Sequence, residues 1–338
     1  MFFHFIFCSF LLYFYFQIQL EENKMNSQST SILKRCLRLS VRNYSSSLAS
    51  KLVQLTKRGV FEVKGRDSAK LLQGLITNDI SLLTKTNRVI HSYLLNVQGR
   101  IINDVFIYNG DEENEYLFEC DKSQCDILSH HLKKYKLRSK VKFTNRDDLN
   151  VFSIFGNNND YHSRNQLLYL DPRIKDMGYR IITVENIDTV AEGMENPISI
   201  STEETYYKHR YCLGLSEGIA EVENGIPLEH NGAFCNSISF NKGCYVGQEL
   251  VARANFTGVI RKRIMPVTLE TVIDLESLNN TTIFNEKGKR AGKILGTEGV
   301  SGIGLLKLNE ALNGQRLSLR SSDNEIFLRA YTPDWWPE

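Results

Sequence analysis

The residues best suited to chemistry lie in one octapeptide, Lys242-Gly243-Cys244-Tyr245-Val246-Gly247-Gln248-Glu249. A cation beside a thiol favours the thiolate, which is the form that attacks electrophiles and binds soft metals. If residues 242–244 are extended, the Lys242 ammonium and the Cys244 sulfur lie on the same face. Gly243 and Gly247 permit positive φ angles or close approach of a ligand to the backbone. The octapeptide therefore predicts a functional thiol; a glycine turn around a buried cysteine is the structural alternative.

The octapeptide resembles the signature of the YgfZ family, whose members are related to the aminomethyltransferase (T-protein) of the glycine cleavage system. Other segments match motifs of that family in the same order: Phe61 to Asp79, Asn96 to Arg100 followed by Asp104, Tyr135 to Lys140, Asp171 to Arg173, and Arg210-Tyr211 with Leu213-Gly214. The resemblance covers roughly residues 52–338. It implies an α+β fold, with an aminomethyltransferase-like, folate-binding body of antiparallel sheets and helices and a C-terminal β-barrel.

The same resemblance implies a folate site that contains two carboxylates. Asp104 lies in a segment similar to the T-protein segment that carries an acidic residue near the reactive nitrogen of folate, although Asn103 replaces the first of two acidic residues there. Glu229 stands where the family has residues that line the folate cavity, and a carboxylate can accept hydrogen bonds from pterin N–H groups. Tetrahydrofolate is therefore the expected ligand. A role for Asp104 in bonding local amides is the structural alternative.

The resemblance also implies a function: mitochondrial members act in iron–sulfur cluster assembly, here in the maturation of 4Fe–4S proteins. The implied partners are A-type scaffold proteins and ferredoxin-like donors. Because Asn103 departs from the T-protein pattern, we expect no transferase turnover, and an assembly factor is favoured over an enzyme. A tetrahydrofolate-dependent aminomethyl- or methyltransferase is the alternative.

The seven cysteines, at positions 8, 36, 120, 125, 212, 235 and 244, form no Cys-x-x-Cys motif and no paired spacing. This pattern indicates a reducing compartment rather than a disulfide scaffold. A cluster takes about four protein thiolates, so we expect no cluster held by this chain alone and no metal site, with Cys244 as a transient ligand. Cys120 and Cys125 are predicted to be core or surface residues.

Charge distinguishes the amino terminus from the rest of the chain. The formal net charge is +2, and because residues 1–44 carry a net +3, the remainder is close to neutral. A near-neutral body argues against nucleic acid as the main partner. Residues 25–44 are basic, serine-rich and free of acidic residues, which predicts a mitochondrial presequence and a matrix location, with a disordered basic tail on a cytosolic protein as the alternative. The apolar residues 1–24 are interpreted as a gene-model extension ahead of Met25. Their apolar run is short for a membrane span, and we expect no stable insertion.

The remaining patterns predict the elements that position these residues. Residues 50–255 are expected to form the α+β body, in two lobes, and residues 256–338 the barrel. Two strands flanking Gln98-Gly99 indicate a hairpin. One helix is predicted over residues 202–213, and another from Ser123, with Ile127, Leu128, His131, Leu132 and Tyr135 on one face. Six short barrel strands are predicted at Arg263 to Val267, Thr281 to Phe284, Gly292 to Leu295, Ile303 to Leu308, Arg316 to Leu319 and Ile326 to Ala330.

Overall fold

The computed structural model describes residues 50–156, 161–271, 281–312, 316–320 and 325–337. The predicted extension and presequence lie outside these residues. The strands are β1 Lys51–Gln54, β2 Arg58–Lys64, β3 Val89–Leu95, β4 Ile101–Asn109, β5 Glu115–Asp121, β6 Lys142–Asn145, β7 Asn150–Phe155, β8 Tyr169–Leu170, β9 Tyr179–Thr183, β10 Ser199–Ser201, β11 Lys262–Leu269, β12 Thr282–Asn285, β13 Arg290–Glu298, β14 Ser301–Lys307, β15 Leu317–Arg320 and β16 Glu325–Ala330. The α-helices are α1 Ser68–Gln73, α2 Cys125–Lys136, α3 Ile187–Gly193, α4 Glu203–Cys212, α5 Ile219–Val222, α6 Gln248–Thr257 and α7 Leu308–Ala311.

The first sheet is antiparallel, with five strands in the order β3-β4-β5-β2-β6. Successive side chains of a strand point to opposite faces, and β4 shows this clearly. Val105 and Ile107 face a core that also contains residues of α1 and α2, such as Leu72 and Leu128. Phe106 and Tyr108 point the other way, into a separate buried cluster. The predicted hairpin of β3 and β4 is confirmed.

The helix predicted from Ser123 begins instead at Cys125, and its buried face agrees with the expected one at Leu128 and Leu132 but not at Ile127. The Asp121 side chain accepts a hydrogen bond from the Ser123 backbone N–H, which closes a short 3₁₀ turn ahead of the helix. This turn places the start of α2 at Cys125, which is buried, whereas Ile127 is 56% exposed. The helix predicted over residues 202–213 agrees with α4, Glu203–Cys212.

The second sheet has five strands in the order β10-β1-β7-β9-β8. It is antiparallel except for the parallel pair of β1 and β10. One face packs against α3, where Leu52, Ile154, Ile181 and Val190 form a continuous apolar cluster. The body therefore combines antiparallel sheets with helices, as predicted.

The carboxyl-terminal strands close into a barrel in the order β11-β14-β13-β12-β15-β16. Each of the six predicted strands is present, and β11 pairs with β16 to complete the closure. Alternate residues of β11, namely Met265, Val267 and Leu269, point into the barrel core. After the last strand, the Trp335 indole Nε1 donates a hydrogen bond to the Leu213 carbonyl at 2.8 Å, which ties the chain end to the body. Across the described ranges, the helices are too short or too polar to cross a membrane.

Candidate functional site

Cys244 is exposed at the tip of a loop formed by residues 239–247, which we call the Cys244 loop. Both ends of this loop are tied to the segment that follows α1. The Ser239 N–H donates to the Thr77 carbonyl, and the Val246 N–H donates to the Gly74 carbonyl, each at 3.0 Å. The sulfur thus lies between two anchored points, on a part of the loop that faces solvent.

Lys242 provides a third anchor for the Cys244 loop. Its Nζ donates hydrogen bonds to the carbonyl oxygens of Ile76 at 2.8 Å and Asn78 at 2.6 Å. The ammonium also lies 5.1 Å from the centre of the Tyr245 ring. Burial lowers the pKa of Lys242 to about 8, against the opposing attraction of Asp79. The hydrogen bonds of this cation therefore go to the backbone, and Lys242 fixes the shape of the loop.

The two glycines of the octapeptide have different surroundings. Gly247 has φ +79°, and a Cβ there would lie 2.4 Å from the Asn96 carbonyl oxygen, so only glycine fits. The absence of a side chain at Gly247 therefore lets the start of α6 lie close to the turn between β3 and β4. A Cβ at Gly243 would meet no atom within 4 Å, which leaves the backbone beside Cys244 open on that side.

The last two motif residues lie at the start of α6. The Gln248 side-chain oxygen accepts a hydrogen bond from the Tyr245 N–H at 3.1 Å, which holds the backbone just after Cys244. Glu249 is exposed in the first turn of α6. The octapeptide therefore forms one local unit in which four hydrogen bonds, two from Lys242, one from Val246 and one between Tyr245 and Gln248, position a single outward thiol.

Asp104 lies elsewhere, fully buried on β4. Its Oδ1 accepts a hydrogen bond from the Gly218 N–H at 3.0 Å, and its Oδ2 lies 3.4 Å from Arg58 Nη1 and 3.9 Å from His91 Nε2. Burial by itself would raise the pKa of Asp104, but Arg58 and the interaction with His91 together outweigh that effect, and the pKa falls to about 2. The carboxylate is ionised and compensated by groups of the protein itself.

Asp104 belongs to a buried cluster that sequence reasoning did not identify. We call it the arginine network, and its members are Arg58, Arg173, Arg180, Arg210, Asp104, Glu119, Asp171, Glu217 and Glu221. Arg180 joins Glu119, at 2.6 Å, to Glu217, while its guanidinium carbon lies 4.1 Å from the centre of the Phe106 ring. The cluster connects strands of both five-stranded sheets, because Arg58 and Glu119 belong to the first and Arg180 to the second.

The electrostatics of the arginine network are those of a compensated interior. Burial alone would raise the pKa of Glu217, but Arg180, Arg173 and other cations hold it well below its usual range. The pKa of Asp171 is lowered in the same way, mainly by Arg173. Two segments quoted above, Asp171 to Arg173 and Arg210-Tyr211, contribute members. The only other feature of the sequence that could have indicated this network is the presence of charged residues within strands.

Glu229 differs from Asp104 in its surroundings. It is half-buried, and its carboxylate forms no hydrogen bond or ion pair with the residues that the structure describes. Burial raises the pKa of Glu229, and Lys262 and Arg100 oppose this effect only partly. Of the two carboxylates assigned to a folate site, Glu229 can thus receive a ligand, whereas Asp104 does not fit such a contact while Arg58 and Gly218 hold it.

Within the described ranges, no group of three or more His, Cys, Asp or Glu side chains is arranged to hold a metal ion. Cys244 is the exposed thiol among the cysteines described, since Cys120, Cys125 and Cys235 are buried and Cys212 is partly buried. A metal or cluster that reaches this surface would meet one thiolate.

Comparisons with known proteins agree with this architecture. Residues 47–161 match the GCVT N-terminal domain family, and residues 261–338 match the family described as CAF17, C-terminal beta-barrel domain. The chain is 33% identical over 340 residues to the iron–sulfur cluster assembly factor IBA57, mitochondrial, of Mus musculus, with 93% of each chain covered. It is 34% identical over 307 residues to the Homo sapiens protein of the same name, covering 84% of this chain and 85% of that one.

Among solved structures, the chain is similar to the crystal structure of the glycine cleavage system aminomethyltransferase T from Bartonella henselae. The TM-score is 0.67 at 12% identity, with 87% of this chain and 88% of that chain covered. At this identity the likeness concerns the fold. The predicted T-protein-like fold with a C-terminal barrel is confirmed.

Proposed function

We infer that this chain, which belongs to the IBA57 family of mitochondrial iron–sulfur cluster assembly factors, assembles iron–sulfur clusters in the mitochondrial matrix, and that it works through Cys244. The observation that supports this role for Cys244 is its exposure on a braced loop. A loop held at Gly74, Thr77 and by Lys242 presents the sulfur in a fixed position, and such preorganisation favours specific ligation.

In the proposed reaction the cluster is the cargo. Cys244 loses its proton to solvent, and the thiolate then binds one iron of a cluster whose other ligands belong to an A-type scaffold protein. The open backbone at Gly243 allows the partner to approach the sulfur closely. The assembled 4Fe–4S cluster is then transferred to a client protein. A ferredoxin-like donor supplies the electrons that are required when two smaller clusters are joined into one 4Fe–4S cluster.

The role of Lys242 in this proposal is to position the thiol. The ammonium bonds two carbonyls of the segment that follows α1, so it fixes the direction in which the Cys244 loop leaves the body. Replacement by arginine changes the shape of the donor, whereas replacement by methionine removes the donors and keeps much of the apolar stem. Comparing both variants separates the contribution of the bonds from that of side-chain volume.

A test in mitochondria distinguishes Cys244 from the other thiols. Cells that depend on Cys244→Ser should retain normal protein levels and lose the activity of a 4Fe–4S client such as an aconitase. Cys212→Ser is the matched control, because Cys212 is partly buried against Ser301 and should leave client activity intact. Full client activity in the Cys244→Ser cells at normal protein abundance would remove Cys244 from the mechanism.

For tetrahydrofolate, we propose Glu229 as the side chain that contacts the ligand, with no contact from Asp104. Glu229 has free acceptor capacity within the described residues, while both oxygens of Asp104 are engaged. Fluorescence titration with tetrahydrofolate should show binding that Glu229→Gln weakens by about 10-fold, the effect of losing one hydrogen bond to a charged group. A titration without any binding would remove the ligand from the account and leave the role of Cys244 unaffected.

The transferase alternative finds no support in the geometry of Asp104, which is bound to Arg58 and to the Gly218 N–H. Purified protein supplied with tetrahydrofolate and an amine donor should show no aminomethyl transfer. Sustained turnover that Asp104→Asn abolishes would establish the transferase instead.

A further inference from the structure

We propose that Cys120 and Cys125 form a redox site, a dithiol that a hydroperoxide oxidises to an intramolecular disulfide. The two residues lie where β5 meets α2, and they share no hydrogen bond with the Cys244 loop. Neither residue takes part in the proposed ligation of a cluster. The redox site can therefore be present or absent whatever the role of Cys244.

The sulfur atoms are already adjacent in the reduced protein. Cys120 Sγ and Cys125 Sγ lie 3.5 Å apart, and a disulfide requires about 2 Å between them. Closing this gap requires side-chain rotation of two residues that both lie at the ends of their elements. Gly59, which pairs with Cys120 across the sheet, makes room for the dithiol, because a Cβ at Gly59 would lie 2.8 Å from Cys125 Sγ.

The two thiols differ in access and in acidity, which gives them different roles. Cys125 is 8% exposed and Cys120 is 0% exposed, so a small oxidant reaches Cys125 first. The hydrogen bond between the sulfurs lowers the pKa of Cys125 and raises the pKa of Cys120. Cys125 also stands at the first residue of α2, where the helix dipole favours an anion. Cys125 is therefore the attacking thiolate and Cys120 the resolving thiol.

The reaction balances with hydrogen peroxide as the oxidant. The Cys125 thiolate attacks one peroxide oxygen, the O–O bond breaks, and the leaving hydroxide takes a proton to become water, which leaves a sulfenic acid on Cys125. The Cys120 sulfur then attacks the Cys125 sulfur, the S–O bond breaks, and a second water leaves with the Cys120 proton. Two electrons pass from the dithiol to peroxide. A thiol reductant such as glutathione restores both thiols by exchange, forming glutathione disulfide.

Arg58 links the redox site to the arginine network. Its positive charge adds to the lowering of the pKa of Cys125 and opposes the rise in the pKa of Cys120, while its guanidinium bonds Glu119 at 2.8 Å. Forming the disulfide removes the anionic sulfur from the surroundings of Arg58.

The test is oxidation of the full-length, fully reduced protein with one equivalent of hydrogen peroxide, followed by alkylation of the remaining thiols and peptide mapping. We expect one product about 2 Da lighter, with the peptides of Cys120 and Cys125 joined, and its reversal by glutathione. In Cys120→Ser the resolving thiol is absent, so the product should instead be about 16 Da heavier and carry a dimedone-reactive sulfenic acid at Cys125. Cys212→Ser is the matched control and should give the same disulfide as the unmodified sequence.

Two results would overturn the proposal. One is oxidation of Cys244 while Cys120 and Cys125 both remain reduced in the folded, unmodified protein. The other is a Cys120→Ser variant that folds normally and yields no sulfenic acid at Cys125. Since the first result comes from the unmodified sequence, a folding defect in a variant cannot hide it.

Discussion

The Cys244 loop and the arginine network place reactive or charged side chains in opposite surroundings. The loop presents one thiol to solvent, and hydrogen bonds to the backbone of the segment after α1 hold the loop in place. The network encloses nine charged side chains between two sheets, where each charge meets an opposite charge. The loop is suited to meet another molecule, whereas the charges of the network are compensated within this one.

The two regions should therefore respond differently to substitution. A buried ion pair contributes little beyond what packed apolar residues would, yet removing one partner leaves an isolated buried charge and costs about 3–5 kcal/mol. Replacing an exposed thiol leaves no buried charge without a partner and should therefore change the free energy of unfolding very little. Stability should be lost in the network and function in the loop.

The largest expected effect is that of Arg180→Leu. This change leaves Glu119 and Glu217 buried without their shared cation, and we expect the free energy of unfolding to fall by about 3–5 kcal/mol. Denaturant-induced unfolding measures the loss. Arg316→Leu is the matched control, because the Arg316–Glu270 pair is exposed on the barrel and should contribute at most about 1 kcal/mol. Equal losses in the two variants would contradict the contrast between interior and surface charges.

Acid should destabilise the protein in two successive ranges. Burial lowers the pKa of His230 to about 4, so the unfolded chain binds the proton first and stability falls as the pH drops from about 6.5 to about 4. This term amounts to roughly 3 kcal/mol. Asp104 has a folded pKa of about 2, so its contribution is present above about pH 4 and is lost as the pH falls further towards 2.

Unfolding free energies measured between pH 8 and pH 2 test this order. His230→Asn should flatten the upper range, because it removes the titrating ring while leaving a polar partner for Ser216. Stability that is unchanged from pH 7 to pH 4 in the unmodified protein would show that His230 is accessible to protons in the folded state.

An intermediate effect is expected for Lys242→Met. It removes two hydrogen bonds between an ammonium and the carbonyls of Ile76 and Asn78, at a cost of about 2 kcal/mol. Amide hydrogen exchange should accelerate at Val246 and Ser239, the two ends of the Cys244 loop, and client activity should fall with it. Lys133→Met, on the exposed side of α2, is the control and should change neither. Unchanged exchange at both amides would show that the loop does not need its lysine.

The smallest effect on stability is expected for Cys244→Ser, which should alter the free energy of unfolding by less than about 0.5 kcal/mol. Denaturant unfolding measures this value, and the same preparation serves for functional assays. A loss above about 2 kcal/mol would indicate that the sulfur is part of the packing and would contradict its assignment as an outward ligand.

The contrast also explains what the sequence could predict. The barrel strands follow from local alternation and turn residues, and the octapeptide is contiguous, so both could be read along the chain. The partners of Lys242 are backbone carbonyls more than 160 residues away, and the residue types at those positions give no sign of this contact. Arg58, Glu119, Arg180 and Glu217 come from separate elements, and only the packing of two sheets brings them together.

The most direct test of the central claim is anaerobic reconstitution of the purified protein with an A-type scaffold partner, iron and sulfide, followed by size separation and visible circular dichroism. We predict that the unmodified protein and its partner elute together with an iron–sulfur chromophore that neither gives alone. Cys244→Ser should lose that shared chromophore, and Cys212→Ser should keep it. The same complex and the same spectrum with Cys244→Ser would contradict the claim that this thiol binds the cluster.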